Sequence, residues 1–260
     1  MTAVRDRALA IVELLAHNVR GLPMSEVGDR LDIPRTAAHR ILADLKESGY
    51  VKQDPDSAQY MLTVKMASLG LSYLAATGIT DAAQPLLDDL AQESGELVRL
   101  AVVEGDDLIW VAKAQGARTG LRYDPDAGLE IYLPATANGL AFLAALDEER
   151  AHSLVARQGM DRAREKGPGA PKTLRALMKD VELTRKRGYG TVFDAYEAGT
   201  SAIATAVQIN ATSMPIGTVS IAGPSVRMTM QRMEALAPKL KACALALAVA
   251  SRSSPMFAKR

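Results

Sequence analysis

The sequence predicts an α+β chain in two parts. A small N-terminal helical domain ends in a β-hairpin, and a larger domain carries helices beside an antiparallel sheet. Three observations predict this. Residues 24–62 hold two short apolar-striped helices, then two β-rich runs around a turn. Residues 97–114 hold two β-rich runs around Glu104-Gly105-Asp106, and runs 201–209 and 216–222 flank a turn with Asn210 and Pro215. Helical patterns stand between these pairs, which suits an α+β layout.

Taken in order, residues 4–17 form a helix with Ala8, Ile11, Val12 and Leu15 on one face. Pro23 suits the first turn of the next helix, where Val27 and Leu31 fall four apart. Asp32-Ile33-Pro34 stops that helix, because the residue before a proline is pushed out of the α region. The following helix has Ala38, Ile41, Leu42 and Leu45 as its apolar stripe, and Gly49 closes it. Its opposite face shows Arg35, Thr36, His39 and Arg40. Residues 50–52 and 60–62 flank the turn Asp54-Pro55-Asp56-Ser57. Helix, turn, helix and hairpin make a winged helix-turn-helix over residues 1–64, with a second helix sized for a DNA major groove. Residues 65–77 then read as a linker helix with Met66, Leu69, Tyr73 and Leu74 on one side.

The second domain spans residues 78–260. It opens with a helix over 79–94, ended by Gly95, before the hairpin at 97–114. Residues 120–123 and 130–133 are shorter strand candidates. Ala135-Thr136 leads into a helix over 137–146, and Asp147 caps another that reaches 158. A Gly/Pro loop at 166–171 precedes an amphipathic helix over 174–187, with Leu174, Leu177, Val181 and Thr184 facing in. After the last two strands, a final helix is expected over 226–250.

Composition narrows the function classes. Of 260 residues, 48% are hydrophobic and 23% charged, a globular balance. No apolar run reaches membrane-span length, so no membrane partner is expected. The N-terminus lacks the basic start and apolar core of a signal peptide. One cysteine, Cys243, allows no intrachain disulfide; it fits a small core position and a reducing, cytoplasmic setting. Net charge is only +1, and nine basic residues in 1–65 meet nine acidic ones. A DNA reading therefore rests on placement. Arg35, His39 and Arg40 lead the second helix while Asp44 and Glu47 come late, and the N-terminal half is what meets bases in this motif. The DNA candidates are Arg35, Thr36, Ala37, His39 and Arg40, with Lys52, Ser57 and Gln59 from the wing. The wing residues suit phosphate or minor-groove contact and equally a solvated hairpin.

Catalytic and cofactor patterns are missing. His17, His39 and His152 lie on separate helices without metal-pair spacing, so no metal or cofactor is expected. No Gly-x-Ser-x-Gly elbow occurs. The run GPGAPKT at 167–173 lacks a glycine before Lys172 and follows a helix rather than a strand, unlike a phosphate loop.

Five stretches carry a family resemblance. They are LDIPRTAAHRILADLKESGYVKQDPDSAQYML; ESGE before LVRLAVVEGDDLIWV; LPATANGLAFLAAL; RKRGYGTVFDAYEAGTSAIATAV; and GTVSIAGPSVR. In this order they resemble the IclR family of transcription factors (isocitrate-lyase-regulator type) across nearly the whole chain. The resemblance implies a homodimeric or tetrameric regulator of double-stranded DNA, with a GAF-like second domain that binds a small molecule, often an organic acid. Leu140 stands where the family often has Lys, Val192 and Phe193 where it has an acidic pattern, Ala202 where Cys is common, and Ala222 at a polar position; Ser220 is kept.

These residues frame an expected effector site over the helix that begins after Thr136. Backbone N–H groups of Ala137, Asn138 and Gly139 suit an anion, with no lysine or arginine expected to compete. Ser220 adds a hydroxyl, and Trp110, Val192, Ala202 and Ala222 wall the rest. The ligand class expected is a carboxylic acid with an apolar body. Trp110 reads first as a core aromatic and second as a cavity wall. Two other functions stand beside the ligand-responsive regulator. One is a DNA-binding scaffold whose second domain only oligomerises, since an apolar cavity and an apolar dimer face look alike. The other is an enzyme with an appended DNA domain, which lacks an identifiable nucleophile or acid/base pair.

Overall fold

The structure, a computed structural model, describes residues 4–124, 131–210 and 213–251. The chain divides into two units, Met1–Ala76 and Thr77–Arg260.

In the first unit, α1 (Val4–Ala16), α2 (Met24–Leu31) and α3 (Arg35–Glu47) precede the hairpin β1 (Val51–Gln53) and β2 (Tyr60–Leu62), and α4 (Val64–Thr77) follows. The apolar stripes foreseen from spacing meet in one core of Ile11, Leu15, Val27, Ala38, Ile41, Leu42, Val51 and Tyr60. Burial of a side chain such as Ile41 or Leu42 contributes about 1.5–3 kcal/mol. The α2–α3 turn folds back because Asp32 takes a left-handed conformation at φ 50°, and the N–H of Ile33 donates to Gly28 O at 2.9 Å. Beyond α3, Gly49 sits at φ +77°, where a side chain would be strained. Lys65 Nζ donates to Ser48 O at 2.7 Å and lies 4.3 Å from the Tyr50 ring centroid, placing a cation at the negative end of α3. The apolar side foreseen for the linker is only partly covered in this chain: Met66 and Leu74 are half-buried, but Leu69 is 48% and Tyr73 61% exposed, and Leu71, off that side, is 67% exposed.

The second unit is an antiparallel five-stranded sheet between two helical layers. Its strands are β3 (Leu97–Glu104), β4 (Asp107–Gln115), β5 (Gly190–Phe193), β6 (Thr200–Val207) and β7 (Gly217–Pro224), in the order β4-β3-β7-β6-β5. One face packs on α5 (Ile79–Ser94) and α9 (Met230–Ala250). The other packs on α6 (Ala137–Ala144) and, at β5, on α8 (Leu174–Arg187). Helix α7 (Glu148–Gln158) contributes Leu154 and Val155 to the same core as Leu140, Phe142 and Leu143 of α6. Cys243 is buried on α9, and burial, with Asp89 adding, pushes its thiol up to about 11.

Several boundaries differ from the sequence expectation. Residues 120–123 are not a strand, because Gln115 holds the segment by its side chain: Nε2 donates to Tyr123 O and Oε1 accepts from Ala117 N, both at 3.0 Å. Of the 130–133 candidate, residue 130 lies outside the described residues, and Leu133–Ala135 is a 3-10 turn. The edge strand β5 was not foreseen. Leu174 is half exposed at the start of α8, whereas Leu177, Val181 and Thr184 are buried. Helix α9 starts at Met230 rather than 226, since Thr229 caps it through Arg232 N. Before that cap, Arg227 donates to both Glu96 carboxylate oxygens at 2.6 and 2.8 Å.

Candidate functional site

Helix α3 presents Arg35, Thr36, His39 and Arg40 to solvent, with Ala38, Ile41 and Leu42 buried behind them. Pro34 precedes the helix and gives no side-chain cap, so its first N–H groups stay open, as a phosphate seat requires. Ala37 does not point outward as expected; it packs partly into the core. In the wing Lys52 is exposed, but Ser57 is committed. Its N–H and hydroxyl both donate to Asp54 Oδ1 at 2.8 Å, and these bonds hold the Asp54 carboxyl below the usual carboxylate range. Gln59 is half-buried. The wing tip thus shows Asp54 and Asp56, charges that repel a DNA backbone. The α3 face is the better seat.

The second unit holds a cavity between the sheet and the N-terminus of α6. Trp110, Thr136, Ala137, Asn138, Val192, Ala202 and Ala222, all named from sequence, come together on its wall. Register explains the convergence. Ala222 pairs with Ala202, and Ala202 with Val192, so three small or branched apolar side chains share one face across β7, β6 and β5. Gly139 is not on the wall. Its N–H donates to Thr136 Oγ1 at 3.0 Å, so it is taken, and a Cβ there would collide with the Leu133 backbone. The first intrahelical bond is Leu140 N to Thr136 O, which leaves the N–H groups of Ala137 and Asn138 without a helical acceptor. The Asn138 side chain donates to Thr218 Oγ1 at 2.8 Å. Leu140 lies in the core behind.

Sequence reasoning missed Arg99, Tyr123, Tyr196, Thr200 and Ser201, which also line this cavity. Arg99 overturns the expectation that no cation lies here. Only 8% exposed, its guanidinium carbon stands 3.8 Å from the centroid of the Trp110 ring and 5.9 Å from that of Tyr123. Among the described residues no carboxylate lies within ion-pair distance of it. Burial pulls the guanidinium below its ordinary value, an effect Tyr123 partly offsets, and arginine stays charged near neutral pH regardless. Ser220 is the cross-strand partner of Arg99, so both side chains rise from one sheet face. Arg99 Nε, Trp110 Nε1 and Ser220 Oγ are all buried without a hydrogen-bond partner among the described residues, although Ser220 itself lies beside the cavity rather than on its wall. A signal for Arg99 did exist: it is the one charge inside the apolar run LVRLAVV.

The wall hydroxyls of Thr136, Thr200 and Ser201 are spoken for as donors, Thr136 Oγ1 to Tyr132 O at 3.0 Å. Ser225 Oγ donates to Asp194 Oδ1 at 2.7 Å, so Ser201 must donate to Ser225, 2.8 Å away. Thr200 Oγ1 donates to Glu197 O. The cavity itself measures about 30 Å³, room for about two waters, so a larger guest enters only as the walls part.

Helix, turn, helix and wing in one unit, joined to a sheet-and-helix unit that encloses a cavity, define a two-part DNA-binding transcriptional regulator. Residues 5–55 match the IclR helix-turn-helix domain, and residues 71–249 match the C-terminal domain of the bacterial transcriptional regulator IclR. The chain belongs to the IclR family of bacterial transcriptional regulators. It is 27% identical to the Transcriptional repressor IclR of Escherichia coli (strain K12) over 228 residues, covering 87% of this chain and 82% of that one. In fold it is similar to an IclR transcriptional regulator from Alicyclobacillus acidocaldarius, with a TM-score of 0.82 at 22% identity, covering 96% and 99% of the two chains. It is also similar to an IclR homolog from Microbacterium hydrocarbonoxydans solved with 4-hydroxybenzoate, with a TM-score of 0.77 at 20% identity, covering 97% and 100%.

Proposed function

We propose that this regulator is a cytoplasmic, homo-oligomeric repressor whose operator affinity is set by a small carboxylic acid with an apolar body. One observation carries the reading: a buried cation without an ion-pair partner among the described residues faces a cavity whose far wall is the small apolar set Val192, Ala202 and Ala222. A buried charge in such surroundings is unfavourable unless something pairs with it, and an organic anion does so while its body fills the apolar walls. Repression is the action named for the Escherichia coli relative, and an aromatic acid is the ligand named for the Microbacterium homolog. Exposed Leu71 and Tyr73 on α4 support pairing of chains, and a two-fold dimer suits an inverted-repeat operator.

A thermal-shift screen of short aliphatic, aromatic and highly polar acids tests the effector class. An acid at about 100 times its dissociation constant adds about 2.7 kcal/mol of stability. Apolar-bodied acids should raise the melting temperature. A response confined to very polar acids would contradict the reading.

A further inference from the structure

Among the described residues, two buried side-chain N–H donors on the cavity wall lack a partner, the Nε–H of Arg99 and the indole N–H of Trp110. The hydroxyl of Ser220, which can donate or accept, lacks one too and rises from the same sheet face beside Arg99. The other orphaned atom, the acceptor Gln208 Oε1, lies in a separate groove. Two open N–H donors beside a hydroxyl free to donate call for a guest rich in acceptors, and a carboxylate accepts at about four sites on two oxygens. Because one donor belongs to a guanidinium, an anionic acceptor is favoured over a neutral one.

We infer that the effector's carboxylate is held by Arg99, together with Trp110 and Ser220, on the β3–β4–β7 side of the cavity, and not by the N-terminus of α6. This deepens the proposed function and rests on it. Three features place the head group there. Arg99 and Ser220 face each other across the β3–β7 ladder, and Trp110 lies directly under the guanidinium. The helix end offers only the uncharged backbone N–H groups of Ala137 and Asn138, since Thr136 already takes the N–H of Gly139 and the Asn138 side chain is turned to Thr218. The walls beyond, Val192, Ala202 and Ala222, offer no charge and suit the ligand's body. Arg99 is then the residue that makes the site select for negative charge. Its bidentate fork also explains an arginine here rather than a lysine, which presents only a point charge.

The placement makes an unusual demand on stability. An arginine buried for structural reasons leaves a weaker protein when it is removed. One kept for a ligand is a burden on the empty protein, so a methionine of similar reach leaves the ligand-free protein as stable or more so.

The test compares benzoate with benzamide, which has the same shape without the charge, in the full-length protein. Trp110 is the sole tryptophan, so its fluorescence reports binding at this site. Wild type should bind benzoate at least about tenfold more tightly than benzamide, a difference of about 1.4 kcal/mol. Arg99→Met should lose that preference and melt no lower than wild type without ligand. Arg99→Lys should retain part of the preference, which guards against a misfolded methionine variant. If Arg99→Met keeps the preference, or wild type binds both compounds equally, Arg99 is not the anchor, while the effector pocket stands. If wild type binds neither compound nor cyclohexanecarboxylate at about 10 mM, weaker than about 3 kcal/mol of binding, the effector reading fails and this one with it.

Discussion

Arg35 and Arg40 carry the DNA claim at the scale of single residues. Both stand exposed on α3, away from Ile41 and Leu42 in the core. Arg40→Ala or Arg35→Ala should cost about 1–3 kcal/mol of operator binding if the side chain reads a base; a phosphate contact instead lowers the salt slope by about one. Gel-shift titration of both variants at several salt concentrations separates these cases, and wild-type behaviour in both would remove α3 from the groove. At the residue scale the resembled pattern led to the cavity wall, and a lone side chain escaped it. Val192, Ala202 and Ala222, each standing where the pattern has a different residue, do line the cavity. Arg99 was missed, because one arginine in an apolar strand leaves no repeat to read, and its burial depends on Trp110 and Tyr123 folding over it. Gly139 was misjudged because its role is close packing on Leu133, which no local pattern reveals.

Among the elements, α4 carries the prediction about coupling. It is one helix, Val64–Thr77, without proline, and Gly78 after it takes a left-handed conformation at φ 63° before α5. A continuous helix of this kind transmits a small rotation, whereas a flexible joint absorbs it. Inserting a Gly-Ser segment between Thr77 and Gly78 should leave benzoate affinity unchanged and abolish the effect of benzoate on DNA binding. A full DNA response in the insertion variant would mean that coupling bypasses α4. The elements themselves were largely legible. Helices α2 and α3 and the β3–β4 hairpin follow from one-face burial and turn residues. Strand β5 escaped notice because it is four residues long, begins with glycine and lies at a sheet edge, where pairing with β6 rather than local preference makes it a strand. The false strand at 120–123 has the right residues but spends its hydrogen bonds on a glutamine side chain instead of a ladder.

For the whole molecule, the account joins two physical facts that local pattern alone does not connect. One unit exposes Arg35 and Arg40 on a helix face, and the other buries Arg99 on the wall of a cavity. A ligand shifts DNA affinity only if it binds the DNA-competent and incompetent states with different strength. We expect the cavity to supply such a difference: at about 30 Å³ it is too small for an aromatic acid, so binding requires its walls to part. The most direct test measures binding of full-length protein to DNA selected from a random pool, with and without saturating benzoate, in wild type and Arg99→Met. The account predicts an inverted-repeat site whose affinity for wild type changes by at least about fivefold with benzoate, about 1 kcal/mol of coupling, and does not change for the variant. Wild-type affinity that is the same with and without bound benzoate would contradict it.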